Sequence, residues 1–185
     1  MKVVHKKKQT EIVQLKITLK RSKPPIWRRI LIEKEMTFED LHYIIQDVMG
    51  WENCHLHEFR DNNVVIDEDD FFGDGNIDSS EITLREHFTR LKQKITYTYD
   101  FGDSWEHEIL VEKFLDRDKE IDYPICIKGK NNCPPEDCGG IWGFYSMLEI
   151  IQDKNHPERE EMLEWIGEDY DPEHFDLEET NERFF

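Results

Sequence analysis

Residues able to do chemistry fall in a few places along the chain. His55-x-His57 would set two imidazoles on one face of an extended strand, about 6–7 Å apart, which suits two neighbouring metal ligands. A metal needs three or more converging ligands, so two partly exposed polar side chains beside Phe59 are the plainer reading. Asp100, Asp103 and His107 flank the turn Phe101-Gly102. A carboxylate against an imidazole there would fix its tautomer and raise its basicity, as a general base or the support of a metal ligand requires. His107 shares its strand phase with Trp105, Ile109 and Val111, which predicts a core-facing ring hydrogen-bonded to a carboxylate or backbone group. The candidate functional cluster is therefore His55, His57, Asp100, Asp103, Trp105 and His107.

Cys126, Cys133 and Cys138 stand at C-x6-C-x4-C spacing, looser than the C-x2-C pair of zinc knuckles. Three readings stay open. The thiols pack as small apolar groups; they hold zinc with Cys54 or a histidine as fourth ligand; or Cys138, just ahead of a helix, is activated by the helix N-terminus. Zinc is the one cofactor the sequence raises. Lys20, Arg21, Lys23, Arg28 and Arg29, with Trp27 among them, would suit a phosphate backbone and one stacked base. Against that, a net charge of −18 slows encounter with polyanions. The preferred reading is a basic hairpin that neutralises acidic surface of its own chain, and a protein partner before nucleic acid.

Period-two alternation of Val13, Leu15, Ile17 and Leu19 predicts a strand, and Ser22-Lys23-Pro24-Pro25 turns it into a second strand over 26–32. Thr37 and Asp40 form a capping-box variant ahead of Phe38, Leu41, Ile44, Ile45, Val48 and Met49 at helical spacing, with Gly50 at the end. This predicts a helix over 38–49. Strands follow at 54–60 and 64–66, then an acidic surface loop over 67–80, a single helical turn at 83–88, and a hairpin of 95–101 with 105–114. Residues 124–140 read as an irregular Cys- and Pro-rich connection, followed by helices from Ile141 and from Pro157. The class is α+β, in one domain over 1–185. Residues 1–12 are expected as a flexible basic arm, 13–115 as a β-grasp-like mixed sheet with its main helix and an extending hairpin, and 116–185 as the Cys/Pro-rich loop and acidic helices packed on the sheet.

Charge is segregated: residues 1–34 carry a net +9 and residues 155–185 a net −10. No apolar run approaches a membrane span, the first residues lack a signal-peptide core, and four cysteines do not make a disulfide framework, so a reducing cytoplasmic setting is expected. The phosphate-loop, dinucleotide, zincin and serine-hydrolase strings are missing, and Asp100-Phe101-Gly102 lacks the companions that make it a kinase signature.

Several strings in fixed order, Pro24-Pro25-Ile26-Trp27-Arg28-Arg29, Gly50-Trp51, His55-Leu56-His57-Glu58-Phe59, Tyr99-Asp100-Phe101-Gly102-Asp103-Ser104-Trp105-Glu106-His107 and Cys133-Pro134-Pro135-Glu136-Asp137-Cys138-Gly139-Gly140, resemble the plasmid open-reading-frame-three-like family named from a root-inducing plasmid. The resemblance spans 13–177 and implies a compact prokaryotic α+β protein found near plasmids or mobile elements. It carries no defined activity. A resolvase-like label attached to some relatives does not transfer, because an activated serine among arginines and a basic helix-turn-helix are missing here. Two function classes follow. One is a non-enzymatic binding or adaptor module; the other is a metal-dependent hydrolase or nuclease built on the His/Asp cluster.

Overall fold

The computed structural model describes residues 11–68 and 75–184. The expected arm is thus seen only from Glu11 onward, and residues 69–74 of the acidic loop lie outside the described residues. Alternating apolar residues form β1 (Ile12–Leu19), which turns into β2 (Trp27–Glu33) with Leu15 opposite Ile30 and Ile17 opposite Arg28. α1 (Phe38–Met49) begins at a reciprocal cap. Thr37 accepts a hydrogen bond from the Asp40 amide at 3.1 Å, and Asp40 accepts from the Thr37 amide at 2.8 Å. Gly50 ends the helix at φ 84°, a conformation glycine adopts without strain. Next come β3 (His57–Asp61), β4 (Val64–Asp67) and β5 (Ile77–Asp78). A second capping box, Thr83 with Glu86, starts the one-turn α2 (Leu84–His87).

β6 (Lys94–Tyr99) and β7 (Trp105–Leu115) make the expected hairpin, with Tyr99 opposite Trp105 and Tyr97 opposite His107. β8 (Ile125–Lys130) and the helices α3 (Gly140–Gln152), α4 (Arg159–Ile166) and α5 (Leu177–Glu182) complete the chain. The strands form one mixed sheet in the order β5-β4-β3-β6-β7-β1-β2-β8, with β4 and β5 the parallel pair. The class is α+β, as the sequence indicates. In one detail the sheet departs from a β-grasp order: β7, not β6, lies against β1, and the hairpin is inserted at the centre instead of extending an edge. β7 is 11 residues long and can run the whole length of β1, with a bulge at Gln14/Leu15. β6 pairs one of its edges over residues 105–110 and β1 the other over residues 107–115, which satisfies the backbone groups of the shared stretch.

One face of the sheet carries Val13, Leu15, Ile17, Ile30, Phe59, Tyr97, Ile109 and Val111, all buried together with the apolar side of α1. Each such side chain contributes about 1.5–3 kcal/mol by leaving water. The opposite face is polar and laddered by charge: Arg29 meets Glu112, Arg21 meets Glu106, Lys94 meets Glu108, and Lys20 donates to Thr96. Among the described residues, no helix is long and apolar enough to cross a membrane.

Two elements escape the sequence pattern. β8 lies inside the stretch expected to be irregular, pairing Ile30 with Cys126 across a register shift. Gly129 of β8 stands where a side chain would run into Phe175 and Arg28, so a glycine that reads as a turn signal marks a close approach. α5 is capped by Asp176, whose carboxylate accepts from the amides of Glu178 and Glu179. It docks on β8 through Asn181, which exchanges hydrogen bonds of 2.8 and 2.9 Å with the Cys126 backbone.

Candidate functional site

The sheet sends two rows of aromatic and imidazole side chains toward α1: His57, Tyr99 and Trp105 in one row, Phe59, Tyr97 and His107 in the next. α1 answers with His42 and Gln46. These groups close a ring of hydrogen bonds. The Gln46 amide donates to the Tyr97 hydroxyl (3.0 Å), which donates in turn to His42 Nδ1 (2.8 Å). His42 Nε2 donates to Asn53 Oδ1 (2.6 Å), and the Asn53 amide returns to Gln46 Oε1 (3.1 Å). Because each donor fixes the next acceptor, His42 is held in its neutral Nε2–H tautomer. Burial pushes its pKa down from 6.5 to about 4.

The six expected residues are divided by this architecture. His57 was expected as partly exposed; it is 2% exposed, because β3 starts at His57 with that residue facing α1. Its ring stacks on His42 at 3.5 Å and 3°. Its Nδ1 lies 3.1 Å from Glu68, without hydrogen-bond alignment. Trp105 is buried against Trp51. His107 faces the core as its strand phase requires, fully buried; no carboxylate meets it, and of the two expected kinds of partner it has the backbone groups of Trp105 and Tyr97 beside its ring, without a well-aligned hydrogen bond. Burial pushes its pKa down from 6.5 to about 3. Asp103 has a structural task, accepting from the Gly139 amide at 3.0 Å.

His55 and Asp100 do come together, and a residue the sequence reading passed over joins them. Asp137 Oδ1 lies 3.1 Å from His55 Nε2, and Asp100 Oδ2 lies 3.9 Å from the same nitrogen. Two groups of potential ligands are brought within 4.8 Å among the described residues: His55 with Asp100 and Asp137, and His42 with His57 and Glu68. Both nitrogens of His42 are already committed to Tyr97 and Asn53, so the second group has only two donors to offer.

The three downstream cysteines are kept apart, and no thiol belongs to either ligand group. Cys126 sits in β8, and Cys133 is packed against Met49 and Arg28. Burial, then the Asp103 carboxylate, pushes the Cys138 thiol up to about 12, the reverse of the activation considered from its place before α3. The loop itself is firmly docked. The Trp51 indole donates to the Pro134 carbonyl (2.9 Å), and Glu136 accepts from the Tyr99 hydroxyl (2.8 Å) and the Glu52 amide (3.0 Å). Gly140, at φ 67°, lets the turn at Asp103 approach so closely that a methyl group there would strike the Asp103 carbonyl.

The basic hairpin residues are committed within the molecule, though not to the C-terminal acids as a group. Arg28 turns inward, donating to the carbonyls of Val48 and Asn131 and lying over Phe175. Arg29 binds both oxygens of Glu112 and covers Trp27; Arg21 pairs with Glu106. Lys20 donates to Thr96, and Lys23 is exposed, its backbone joined to Tyr145. The glutamates of β7, directly across the sheet, do most of the neutralising.

Beside the imidazole layer an open groove runs between α1, β3 and β4. Its walls carry Glu39, Asp67 and Glu68 with Tyr43, Leu56 and Phe101, which are 49%, 46% and 46% exposed. Burial, then Glu39 and Asp67, raise the Glu68 pKa above its ordinary value. His55 also lines this groove.

The fold recurs in a solved structure, and the sequence has relatives. The crystal structure of a protein of unknown function, MM3350 from Methanosarcina mazei Go1, matches with a TM-score of 0.85 and 42% identity, over 91% of this chain and 96% of that one. The uncharacterized protein y4hQ of Sinorhizobium fredii is 37% identical over 163 residues, 86% of this chain and 84% of its own length. The sequence model of the plasmid pRiA4b ORF-3-like proteins matches residues 11–179, and the chain belongs to that family.

Proposed function

We propose that this protein is a non-enzymatic binding module that takes a basic segment of a protein partner, with an apolar residue beside the charge, into the groove between α1 and β3. The observation that carries this reading is the pairing of exposed Tyr43, Leu56 and Phe101 with the carboxylates of Glu39, Asp67 and Glu68. The raised pKa of Glu68 reports burial first and then repulsion from Glu39 and Asp67, and a bound Lys or Arg would offset that repulsion. Side-chain catalysis has little to draw on: all four thiols are pushed up, and His42, His57 and His107 are pushed down by burial. Nucleic acid is disfavoured because Arg21, Arg28 and Arg29 are already engaged. A cytoplasmic setting, where free thiols persist, suits this reading.

Selection of random displayed peptides on the full chain tests it. Enrichment of Lys or Arg next to an aromatic or aliphatic residue is expected. Tyr43→Ala combined with Glu68→Gln should weaken the selected peptide on the order of tenfold or more. Enrichment of acidic peptides, insensitivity to the double variant, or tighter binding of oligo(dT) than of any peptide would overturn the proposal.

A further inference from the structure

His55, Asp100 and Asp137 come from three separate elements: the approach to β3, the end of β6, and the loop ahead of α3. Asp100 is 8% exposed and tightly held. Its amide donates to the Leu56 carbonyl (2.9 Å), and its Oδ1 accepts from the Gly102 amide (2.9 Å). Oδ2 is left turned toward His55. The loop that bears Asp137 is fixed on either side of it, by Glu136 to Tyr99 and Glu52 and by Gly139 to Asp103. Both aspartates have positive φ, 54° and 57°, which Asp tolerates better than most residues.

The contacts inside the trio are close yet unaligned. His55 Nε2 is hidden from solvent and makes no hydrogen bond, although two carboxylate oxygens lie 3.1 and 3.9 Å away. An imidazole N–H meant to bond one carboxylate would point at it. Ligands of one cation, by contrast, point at a common centre: with bonds of about 2.0–2.2 Å, neighbouring donor atoms stand roughly 3.0–3.5 Å apart. Neither aspartate has a Lys or Arg partner among the described residues. The site therefore concentrates negative charge beside a buried, unpartnered nitrogen.

We infer that His55 Nε2, Asp100 Oδ2 and Asp137 Oδ1 form a binding site for a first-row divalent cation of the Zn²⁺ or Mn²⁺ kind. One nitrogen and two carboxylate oxygens match Zn²⁺, which takes imidazole and carboxylate alike, and Mn²⁺, which favours carboxylate oxygens. Three protein ligands leave coordination positions to water or to a ligand atom. The site borders the peptide groove through His55, but Tyr43 and Glu68, varied to test the groove, are not ligands here, so the two readings fail separately.

The test uses the untagged full chain, stripped with chelator and titrated with Zn²⁺ and with Mn²⁺ by calorimetry, Mn²⁺ also being followed by its spin-resonance signal. One equivalent is expected to bind. Asp137 is largely exposed, so Asp137→Asn leaves the fold intact, and it should weaken binding on the order of tenfold or more, as should His55→Gln. Glu68→Gln, in the other ligand group, should bind as the parent chain does. The thermal midpoint should rise with metal in the parent and Glu68→Gln chains, and much less in the other two. Failure of the parent chain to bind one equivalent of either ion overturns the inference. So does unchanged affinity in both ligand variants, or loss of binding in Glu68→Gln.

Discussion

Tyr97 closes a ring of four residues, donating to His42 while accepting from Gln46. Removing its hydroxyl leaves a buried acceptor and a buried donor without partners, and each unsatisfied group costs about 1–3 kcal/mol. Tyr97→Phe should therefore lower unfolding stability by at least about 1 kcal/mol in denaturant titrations, and combining it with His42→Leu should show strong non-additivity. Additive losses would mean the ring is not cooperative. Little of this was legible at the level of single residues. His42 sits on the buried side of a helix whose apolar spacing is plain, but its partners at Asn53 and Tyr97 come from other elements, and only folding sets them within reach. Asp137 was passed over for the same reason. It lies in a string that reads as a rigid turn, and its nearness to His55 is set by how that turn docks. Strand phase puts His107 in the core through its apolar neighbours Trp105, Ile109 and Val111, but on the short β3 period two alone does not say that the face of His57 is the deeper one.

Elements with local causes were readable to the residue. α1 starts at Phe38 and stops at Met49 because both ends are encoded within a few residues, Thr37 with Asp40 and then Gly50. β8 and α5 were not readable, because each is stabilised by the other: Asn181 supplies the hydrogen bonds that the Cys126 backbone needs at that edge. The Cys133–Gly140 string lies between these cases. Its prolines and glycines announce a rigid turn, and it is anchored to Trp51, Tyr99 and Asp103. Cys133 is buried and Cys138 partly buried against the core, and as packed groups they predict that Cys133→Ala and Cys138→Ala each cost about 1–2 kcal/mol and lower the melting temperature modestly. Collapse of the fold with release of bound zinc on either substitution would show that these thiols hold a metal.

For the molecule as a whole, the buried imidazole layer makes stability depend on pH in a defined direction. Burial holds His107 at about 3 and His42 at about 4, against 6.5 for an exposed ring. Between those values the unfolded chain binds protons that the folded chain refuses, so acid favours unfolding. Their contribution is fully present above pH 6.5 and is lost as pH falls toward 4 and then 3. For each histidine the slope approaches about 1.4 kcal/mol per pH unit. Protonating His107 is unfavourable chiefly because the ring is fully buried, with Trp51 and Tyr97 closing around it, and the backbone groups of Trp105 and Tyr97 offset that only in part. His107→Leu replaces a polar ring that lacks a well-aligned hydrogen bond with an apolar group that the same pocket can hold, so stability at pH 7.5 should be kept or raised. Urea unfolding from pH 7.5 to 4.5 should then show a shallower loss for His107→Leu than for the parent chain, by about one proton's worth of slope. An identical slope in the two proteins would mean that His107 is protonated as readily in the folded chain as in the unfolded one, which its full burial argues against.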